Sequence, residues 1–422
     1  MSNLLRRTDG GGAAPRVLVL GGGVAALETV LALRAHAGMR VEIELIAPTP
    51  ALRYPPLDVV EPFGLEPPRL SLAQALAPLG VRHRLDAVDD VDARERWVHT
   101  RQGALLHYEA LVVAVGARPV APFPGALVYG DPRSRADFAR LLASTGRVAV
   151  GGRAEQLLFA VPAGVRWPLP LYELAVMTAR RFALHAGAPA ARIAIATPER
   201  APLELFGGRA SGHLLEYLER LGIAFLPGAR VTRIRPGEVH LAPAGRTRRA
   251  DRVITVPVLR GPRIEGLPHD ADGFIPIDAH GAVRGVPDVY AAGDAADYPI
   301  KQGGLATQQA DALAETIAAR AGAPLTPAPF RPVLRGMLVT SERPRYLEAD
   351  VAGARDAHAA ETPLWWPPTK VAGRFLAPFL LERLGARLTA ARPDDRWLEG
   401  AIPCEIPLPA PAPAPHAVLR AS

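Results

Sequence analysis

The sequence predicts an α/β fold built from two or more units. At 422 residues the chain is longer than one ordinary domain, and its hydrophobic content of 49% is enough for several cores. Short runs rich in β-branched residues alternate with segments of helical periodicity, a pattern typical of sheets covered by helices. A glycine-rich turn also separates the first such run from the first helical segment, as in units that bind phosphate groups.

The first unit is expected to use residues from both ends of this α/β region. Its early strands are predicted at Arg16–Leu20, Val41–Ile46 and Glu109–Val115. A helix is predicted directly after the first strand. A strand at Asp288–Ala291 and a helix from about Gly304 to Ala321 are expected to complete the unit. We therefore assign residues 15–118 and 257–323 to one domain.

A second unit is predicted between these two segments, at residues 119–256. Its predicted strands are Gln156–Val161, Arg192–Ala196, Ile223–Leu226 and Arg252–Val256. Its predicted helices are Leu171–Leu184 and Gly208–Leu221. Residues 324–401 are irregular and rich in proline, and we treat them as a separate C-terminal interface region. Residues 1–14 are expected to be flexible, and the low-complexity, proline-rich tail at 402–422 is expected to be disordered.

Charge and cysteine content exclude several classes of function. The formal net charge is +7, but the basic residues are scattered and aromatic residues make up only 6%, so no nucleic-acid-binding surface is expected. Only two of the 49 basic residues are lysines, Lys301 and Lys370, which makes both positions conspicuous. The single cysteine, Cys404, cannot form an internal disulfide, a CxxC redox pair or a zinc cage.

The sequence also bears on where the protein acts. No apolar stretch reaches the length of a membrane-spanning helix. The N-terminal segment has two arginines but lacks the apolar region of a secretory signal. We therefore expect a cytoplasmic protein, or one lying on the inner face of a membrane.

The first motif is the turn Gly21-x-Gly23-x-x-Ala26. Glycines allow the backbone to turn tightly and to approach a pyrophosphate, whose charge then lies at the N-terminus of the following helix. Because a predicted strand precedes the turn and a helix follows it, the motif predicts dinucleotide binding. The alternative is a tight turn with no further role.

The end of the second strand departs from the usual dinucleotide-binding pattern. An acidic residue that binds ribose hydroxyls is expected near Ala47, but none is present there. Glu42 and Glu44 come too early, and strand alternation suggests that they face solvent. Backbone groups or Thr49 are left to hold a ribose.

Two further motifs follow in order. ALVVAVGARP places Gly116 after one strand, and VPDVYAAGDAAD places Gly293 and Asp294 after another. Together the three motifs resemble those of FAD-dependent pyridine-nucleotide-disulfide-type oxidoreductases, in the branch of sulfide:quinone oxidoreductase, flavocytochrome c sulfide dehydrogenase and type II NADH dehydrogenase. The resemblance covers Arg16 to Gly322. It implies two Rossmann-like dinucleotide-binding domains of the glutathione-reductase type, followed by a C-terminal α+β region.

The resemblance implies FAD as cofactor and assigns residues to it. Asp294 would hydrogen-bond the ribityl chain. The helix that follows Gln302 and Gly303 would point its positive end at the pyrimidine end of the isoalloxazine. Lys301 would lie near the flavin and stabilise negative charge there; otherwise it is an exposed charge at a helix start. Gln308 is a lesser candidate.

The middle unit matches a nicotinamide-binding domain only in part. Where a second glycine-rich turn is expected, the chain has Pro168 and Pro170, and prolines lack the amides that grip a pyrophosphate. The segment resembles that of the sulfide-dehydrogenase branch, in which these prolines, Tyr172 and Glu173 match, and the family's cysteine falls near Trp167. NAD(P)H therefore remains an alternative substrate. Glu173 is either a carboxylate base at the mouth of a pocket or a partner of the helix dipole.

Residues 364–384 are predicted to form a basic amphipathic helix with an aromatic tip. The apolar residues at helical spacing are Val371, Phe375, Leu376, Phe379, Leu380 and Leu384. Basic residues lie between them, and Pro378 is expected to kink the helix. Such a helix can lie in a membrane interface. The alternative is a helix that packs over the flavin or forms a dimer contact.

Three functions remain open from the sequence. The leading hypothesis is a flavin oxidoreductase that passes electrons to a quinone or another small acceptor, with Lys301 and Glu173 as candidate catalytic residues. The second is a soluble NAD(P)H-dependent reductase with an unorthodox nicotinamide site. The third is a non-catalytic flavin-binding protein. A homodimer is compatible with each of them.

Overall fold

The computed structural model describes residues 14–143, 154–185, 191–243, 245–340, 345–350, 358–360, 364, 365, 367 and 369–385. Within these ranges no helix is both long and apolar enough to cross a bilayer. The helices are α1 (Val24–Ala37), α2 (Leu72–Leu76), α3 (Pro132–Ala143), α4 (Leu169–His185), α5 (Gly207–Arg220), α6 (Gly303–Arg320) and α7 (Leu376–Leu384).

Strands are distributed along the whole described chain. Those of the first half are β1 (Arg16–Leu20), β2 (Glu42–Ala47), β3 (Ala51–Arg53), β4 (Arg69–Ser71), β5 (Arg82–Leu85), β6 (Val88–Asp92), β7 (Trp97–Thr100), β8 (Leu105–His107), β9 (Ala110–Val113), β10 (Arg118–Val120), β11 (Leu127–Val128), β12 (Glu155–Ala160) and β13 (Ala191–Ala196). Those of the second half are β14 (Ile223–Leu226), β15 (Arg230–Arg235), β16 (Glu238–Ala242), β17 (Arg246–Arg249), β18 (Arg252–Thr255), β19 (Val258–Arg260), β20 (Val289–Ala291), β21 (Val333–Leu338), β22 (Arg345–Asp350) and β23 (His358–Ala360).

The first sheet has five parallel strands in the order β20-β9-β1-β2-β5. Helices α1 and α6 pack against each other on one face, and apolar residues of β6, β7 and β8 cover the other. Strand β20 comes from late in the chain and pairs with β9. Two separate stretches of sequence therefore build one sheet, as predicted.

The second sheet is also parallel, in the order β11-β18-β12-β13-β14. Helices α4 and α5 and the antiparallel sheet β21-β22-β23 share one hydrophobic core with it. The antiparallel strands β15 and β16 pack on its opposite face. The predicted α/β fold, with two parallel sheets of Rossmann type, is confirmed, whereas the limits of the domains stay a prediction.

Glu44 does not face solvent, contrary to the expectation from strand alternation. Strand β2 lies between β1 and β5 in a sheet covered on both faces, so alternation gives no solvent face there. The Glu44 carboxylate is fully buried and accepts hydrogen bonds from Arg16 and Arg84. Burial raises the pKa of Glu44, but the bonds and charges of the two guanidinium groups outweigh this and hold that pKa below its ordinary value.

The helix predicted within residues 364–384 is shorter than expected. Only α7 is helical, and the residues that precede it are irregular. Pro378 lies in the first turn of α7, where the amide that proline lacks would have had no helical partner. Trp365, Val371 and Leu376 are buried, so the apolar side of the segment packs against the protein. Trp366 lies outside the described residues.

Replacing Glu44 with alanine should lower the free energy of unfolding by about 1–3 kcal/mol, because two arginines lose their buried carboxylate. Since the folded-state pKa of Glu44 is lowered, its contribution is present above the ordinary carboxyl pKa and is lost as the pH falls through the folded-state value. Urea unfolding at several pH values measures both effects.

The matched control is Glu42→Ala on the same strand. The Glu42 side chain is 50% exposed and its nearest arginine contact is 3.5 Å, so we expect a change below about 0.5 kcal/mol. Equal losses in the two variants would contradict the role given to Glu44.

Candidate functional site

A cavity of about 720 Å³ lies between the first sheet, the second sheet and the C-terminal residues. The β1–α1 turn, the residues after β9, the β20–α6 connection and the start of α6 form one side of it. Residues 163–167, the start of α4 and residues 256–260, which include β19, form another side, and Met337 and Lys370 close the cavity from the C-terminal region. Residues of the first unit, the middle unit and the C-terminal region thus line one space.

The β1–α1 turn requires glycine at its first position. Gly21 has φ of +117°, and a Cβ atom there would lie 2.2 Å from the carbonyl oxygen of Ala114. Gly23 caps α1 and has open space where a side chain would be, and no described side chain caps this helix. Ala26 is fully buried against the first sheet. The free amides at the start of α1 therefore face the cavity and suit a phosphate.

Two more glycine positions border the same cavity. Gly116 follows β9 with φ of +76°, and Gly293 follows β20 with φ of +73°. A Cβ atom at Gly293 would lie 3.0 Å from that of Ala25, so α1 and the β20–α6 connection approach closely. The adjacent Asp294 lines the cavity, where burial raises the pKa of its carboxyl although the charge of Lys301 opposes this.

Lys301 lies in the cavity wall. Its ammonium donates to the carbonyl of Ala296 and lies 3.7 Å from the centroid of the Phe274 ring. Burial lowers the pKa of Lys301 to about 8, although Asp294, Asp297 and Asp270 oppose the shift. The group is charged at neutral pH and close to losing its proton. Phe274 and Asp270 come from a loop that no sequence motif marked.

The start of α6 is shaped by its neighbours. Gln302 caps α6, accepting from the amide of Leu305 at 2.8 Å and donating to the carbonyl of Arg335 at 3.0 Å. A Cβ atom at Gly303 would lie 2.8 Å from a methyl of Val371. Gln308 bonds with both backbone groups of Val333, so it ties α6 to β21 and does not line the cavity.

Glu173 lies behind the cavity wall and does not line it. It is fully buried in α4, beyond the first turn, so a helix-dipole role is not supported. Its carboxylate accepts from the amide of Val339 at 2.6 Å and from the ammonium of Lys370 at 2.6 Å. Burial raises the pKa of Glu173 and lowers that of Lys370, and in each case the charge of the partner opposes the shift. Lys370 does line the cavity.

Lys370 belongs to residues 369–385, which we call the strap, and hydrogen bonds fix its two neighbours in the strap. The Tyr54 hydroxyl accepts from the amide of Val371 at 2.9 Å, and the Trp365 indole donates to the carbonyl of Thr369 at 3.0 Å. Lys370 therefore sits between two anchored neighbours. The sequence drew attention to Lys370 only because the chain has just two lysines, and it did not indicate that Glu173 is its partner.

The cavity fits FAD by the chemistry of its lining. Free amides at the start of α1 suit a pyrophosphate, and Asp294 offers a carboxylate toward a ribityl chain. Lys301 and the start of α6 offer positive charge for an isoalloxazine. No acidic residue follows β2, and Thr49 donates to the nearby carbonyl of Ala51.

Among the described residues, the second sheet does not offer a conventional nicotinamide site. At the start of α4 the amide of Leu171 bonds to the carbonyl of Pro168, and Pro170 has no amide. Gly336 of β21 packs there, so that a Cβ atom on it would lie 3.0 Å from Leu169 and 3.3 Å from Trp167. The C-terminal sheet thus packs against the helix start that would receive a pyrophosphate, while Leu169 and Pro170 still line the cavity.

The acidic position after β13 is also engaged. Glu199 accepts from the hydroxyls of Tyr172 at 2.7 Å and Thr197 at 2.8 Å. Those bonds occupy the carboxylate that would bind a ribose in the usual arrangement. An alternative glycine pair at 151 and 152 lies outside the described residues.

The chain matches a known protein family and a named relative. A family model described as pyridine nucleotide-disulphide oxidoreductase matches residues 15–310. An NADH dehydrogenase-like protein of Mycobacterium tuberculosis is 30% identical over 237 residues, which are 54% of this chain and 58% of that protein. The match thus spans a little over half the length of this relative.

Solved structures share the fold at low identity. The sulfide:quinone oxidoreductase of Aquifex aeolicus has a TM-score of 0.73 and 18% identity, covering 82% of this chain and 87% of that one. The ferredoxin reductase of the CYP199A2 system of Rhodopseudomonas palustris has a TM-score of 0.61 and 18% identity, covering 80% and 83%. Because the family model covers most of the chain, this protein belongs to the pyridine nucleotide-disulphide oxidoreductase family, whose members bind FAD and use NAD(P)H as a substrate.

Proposed function

We propose that this protein is an FAD-dependent oxidoreductase that passes electrons from a small donor to a quinone or another small acceptor, without a redox cysteine pair. One observation carries the proposal: the cavity lined by the glycine turn that suits FAD is also lined by Lys370, which pairs with the buried Glu173. Bound FAD would supply the two-electron exchange between donor and acceptor.

Lys301 serves the proposed reaction by its charge. An ammonium in a partly buried wall stabilises negative charge that develops nearby far better than one in water does. Phe274 and the carbonyl of Ala296 hold the group at the wall. Lys301 therefore favours the reduced form of a bound flavin.

The Lys370–Glu173 pair serves as a proton store at the acceptor end. Reducing a quinone to a quinol consumes two protons as well as two electrons, and the surrounding wall is apolar. That wall includes Trp167, Leu169 and Met337. Lys370 lines the cavity, so its ammonium can give a proton to an acceptor there; burial, which lowers the pKa of Lys370, favours that transfer, whereas the charge and hydrogen bond of Glu173 oppose it.

Trp167 stands near the position of the cysteine in the sulfide-dehydrogenase branch. It lines the cavity and packs against Phe206, with ring centroids 5.9 Å apart. The cysteine of this chain is Cys404, and a growing sulfur chain needs cysteines beside the flavin. Electron transfer by the flavin alone, to a flat apolar acceptor, suits these residues better.

A second candidate function is an NAD(P)H-dependent reductase. It is favoured by the name of the mycobacterial relative, which is NADH dehydrogenase-like, and by the family's use of NAD(P)H. Against it stand the prolines at the start of α4, where Gly336 also packs closely, and the engaged Glu199. A non-catalytic flavin-binding protein is the third, and a homodimer fits each of them.

A quinone acceptor would be met at a membrane, so we keep the inner membrane face as a proposed location. The side of residues 364–384 that packs inward cannot also contact lipid. Among the described residues of this segment, Arg374, Pro378, Glu382 and Arg383 are exposed. A membrane contact made by these four residues would be electrostatic and shallow.

The function is tested on the purified protein with bound FAD, under anaerobic conditions, by following flavin absorbance. NADH, NADPH and sulfide are titrated separately, and the reduced protein is then mixed with a soluble quinone. We expect quinone to reoxidise the flavin within seconds. A flavin that quinone leaves reduced would reject the proposed acceptor, and rapid bleaching by NADH would favour the second candidate as the donor reaction.

Replacing Lys301 with methionine should lower the flavin midpoint potential by about 20–50 mV, because a reduced flavin loses about 1–2 kcal/mol of electrostatic support. The difference from the wild type should shrink as the pH rises through about 8, where Lys301 loses its proton. Dye-coupled potentiometry measures both. Lys301→Arg keeps the charge and should keep the potential; an unchanged potential in Lys301→Met would remove this residue from the site.

Replacing Glu173 with glutamine should slow quinone reduction by about 10- to 100-fold, because the proton store is lost. Reduction of the flavin by its donor should change little. Stopped-flow kinetics separates the two half-reactions. The double variant Glu173→Gln with Lys370→Met removes both buried charges. It should regain the folding stability that Glu173→Gln alone loses by leaving Lys370 unpaired, but it should not regain quinone reduction. Equal slowing of both half-reactions would indicate a merely structural role.

A further inference from the structure

The end of β2 lies beside the glycine turn but carries no carboxylate. In dinucleotide-binding units of this type, an acidic residue at the end of the second strand hydrogen-bonds the ribose of the adenosine. Here β2 ends at Ala47, and Pro48, Thr49 and Pro50 follow it. A Cβ atom at Gly22 would lie 2.9 Å from that of Ala47 and 4.0 Å from the hydroxyl oxygen of Thr49. The place of the usual acid is therefore next to the turn and is taken by other residues.

Apolar side chains pack against this side of the turn. Ala47 is fully buried, and a Cβ atom at Gly22 would lie only 2.8 Å from a methyl of Leu72 of α2. Leu72 is itself fully buried, and its amide donates to the carbonyl of Pro50 at 2.9 Å. Strand β2 and α2 thus meet the turn through apolar contacts, where the usual arrangement has a charged one.

The polar groups after β2 do not replace a carboxylate. Pro48 and Pro50 have no amide hydrogen to donate. The carbonyl of Ala47 accepts a backbone hydrogen bond at 3.1 Å, and the Thr49 hydroxyl donates to the carbonyl of Ala51 at 3.3 Å. A carboxylate presents two adjacent oxygens to the hydroxyl groups of a ribose. Among the described residues 47–51, no side chain offers such a pair of oxygens.

Two acidic residues of the same region are engaged in the fold. The buried carboxylate of Glu44, within β2, accepts hydrogen bonds from two arginines. Asp86 follows β5, and its amide donates to the end of β2 at 3.1 Å. Its buried carboxylate accepts from the amides of Ala87 at 2.7 Å and Gln102 at 3.3 Å. Neither group is available to take the place of the ribose-binding acid.

The cavity itself reaches the turn but not the end of β2. Gly22 and Gly23 line it, and at its other end so do Lys301 and the start of α6. The described residues 47–51 do not belong to its lining. The groups that suit a pyrophosphate and an isoalloxazine therefore lie within the cavity, whereas the end of β2 lies outside it.

We propose that this chain binds FAD without recognising the hydroxyl groups of the adenosine ribose. The turn amides and the flavin end of the cavity then supply the affinity, so FAD analogues that lack those hydroxyl groups bind as well as FAD does. Loss of hydrogen bonds to a carboxylate weakens binding by about tenfold to about a hundredfold, so a conventional site is readily distinguished from this one. This selectivity belongs to the cofactor site and does not depend on the electron donor or acceptor.

The test is a competition on the full chain with bound flavin, between FAD and its dideoxyadenosine analogue, whose ribose lacks both hydroxyl groups. The protein is equilibrated with an excess of both flavins at equal concentration, starting from either flavin until the two samples agree. Bound flavin is then separated, released and quantified by mass spectrometry. We expect the bound amounts to differ by less than about fivefold. A larger preference for FAD would overturn the proposal.

Variants at Thr49 locate the selectivity. Thr49→Val removes the hydroxyl beside the turn and should keep the wild-type ratio of bound flavins. A ratio that moves away from FAD in this variant would mean that Thr49 reads the ribose, which contradicts the proposal. Thr49→Asp places a carboxylate near Gly22 and should create a preference for FAD of about tenfold. An unchanged ratio in Thr49→Asp would also reject the proposal, because the ribose would then lie away from the end of β2.

Discussion

The pairing of β20 with β9 is the constraint on which the cavity depends. Parallel strands end at the same edge of their sheet, so this pairing brings Gly293 and Asp294 beside the β1–α1 turn. The close contact of Gly293 with Ala25 fixes the spacing. Lys301 and the start of α6 follow β20 closely in the chain, so the position of that one strand also determines where they lie. The middle unit is inserted before it and approaches the cavity with residues 163–167 and with the start of α4.

The C-terminal residues are held by polar contacts with three otherwise separate elements. Tyr54, Glu173 and Glu28 contact successive parts of the strap, and each contact is buried. Isolated buried charges are costly, and the carboxylates of Glu173 and Glu28 each accept two hydrogen bonds. The strap is therefore specified by where hydrogen bonds can be satisfied, since its short helix would not be stable alone.

The motif-bearing half of the site could be read from the sequence, because tight turns and buried strands are local properties. Gly21, Gly116 and Gly293 each have the positive φ that their motifs require. The partners of Glu173 and Glu44 could not be read in this way. Each pairs with residues far away in the chain, and strand alternation misled for Glu44 because a parallel sheet has no solvent face. The amphipathic pattern at 364–384 was real, but its apolar side matched the protein interior as well as it matches lipid.

The distribution of lysine has a consequence for chemical labelling. The two lysines of the chain both line the cavity, and in the described structure Lys370 is buried and Lys301 partly so. Arginine covers the surface and does not react with amine-directed acylating reagents. Such a reagent would therefore modify lysine side chains only where the cavity admits it. The extent of acylation then reports on access to the interior, a property that surface lysines obscure in most proteins.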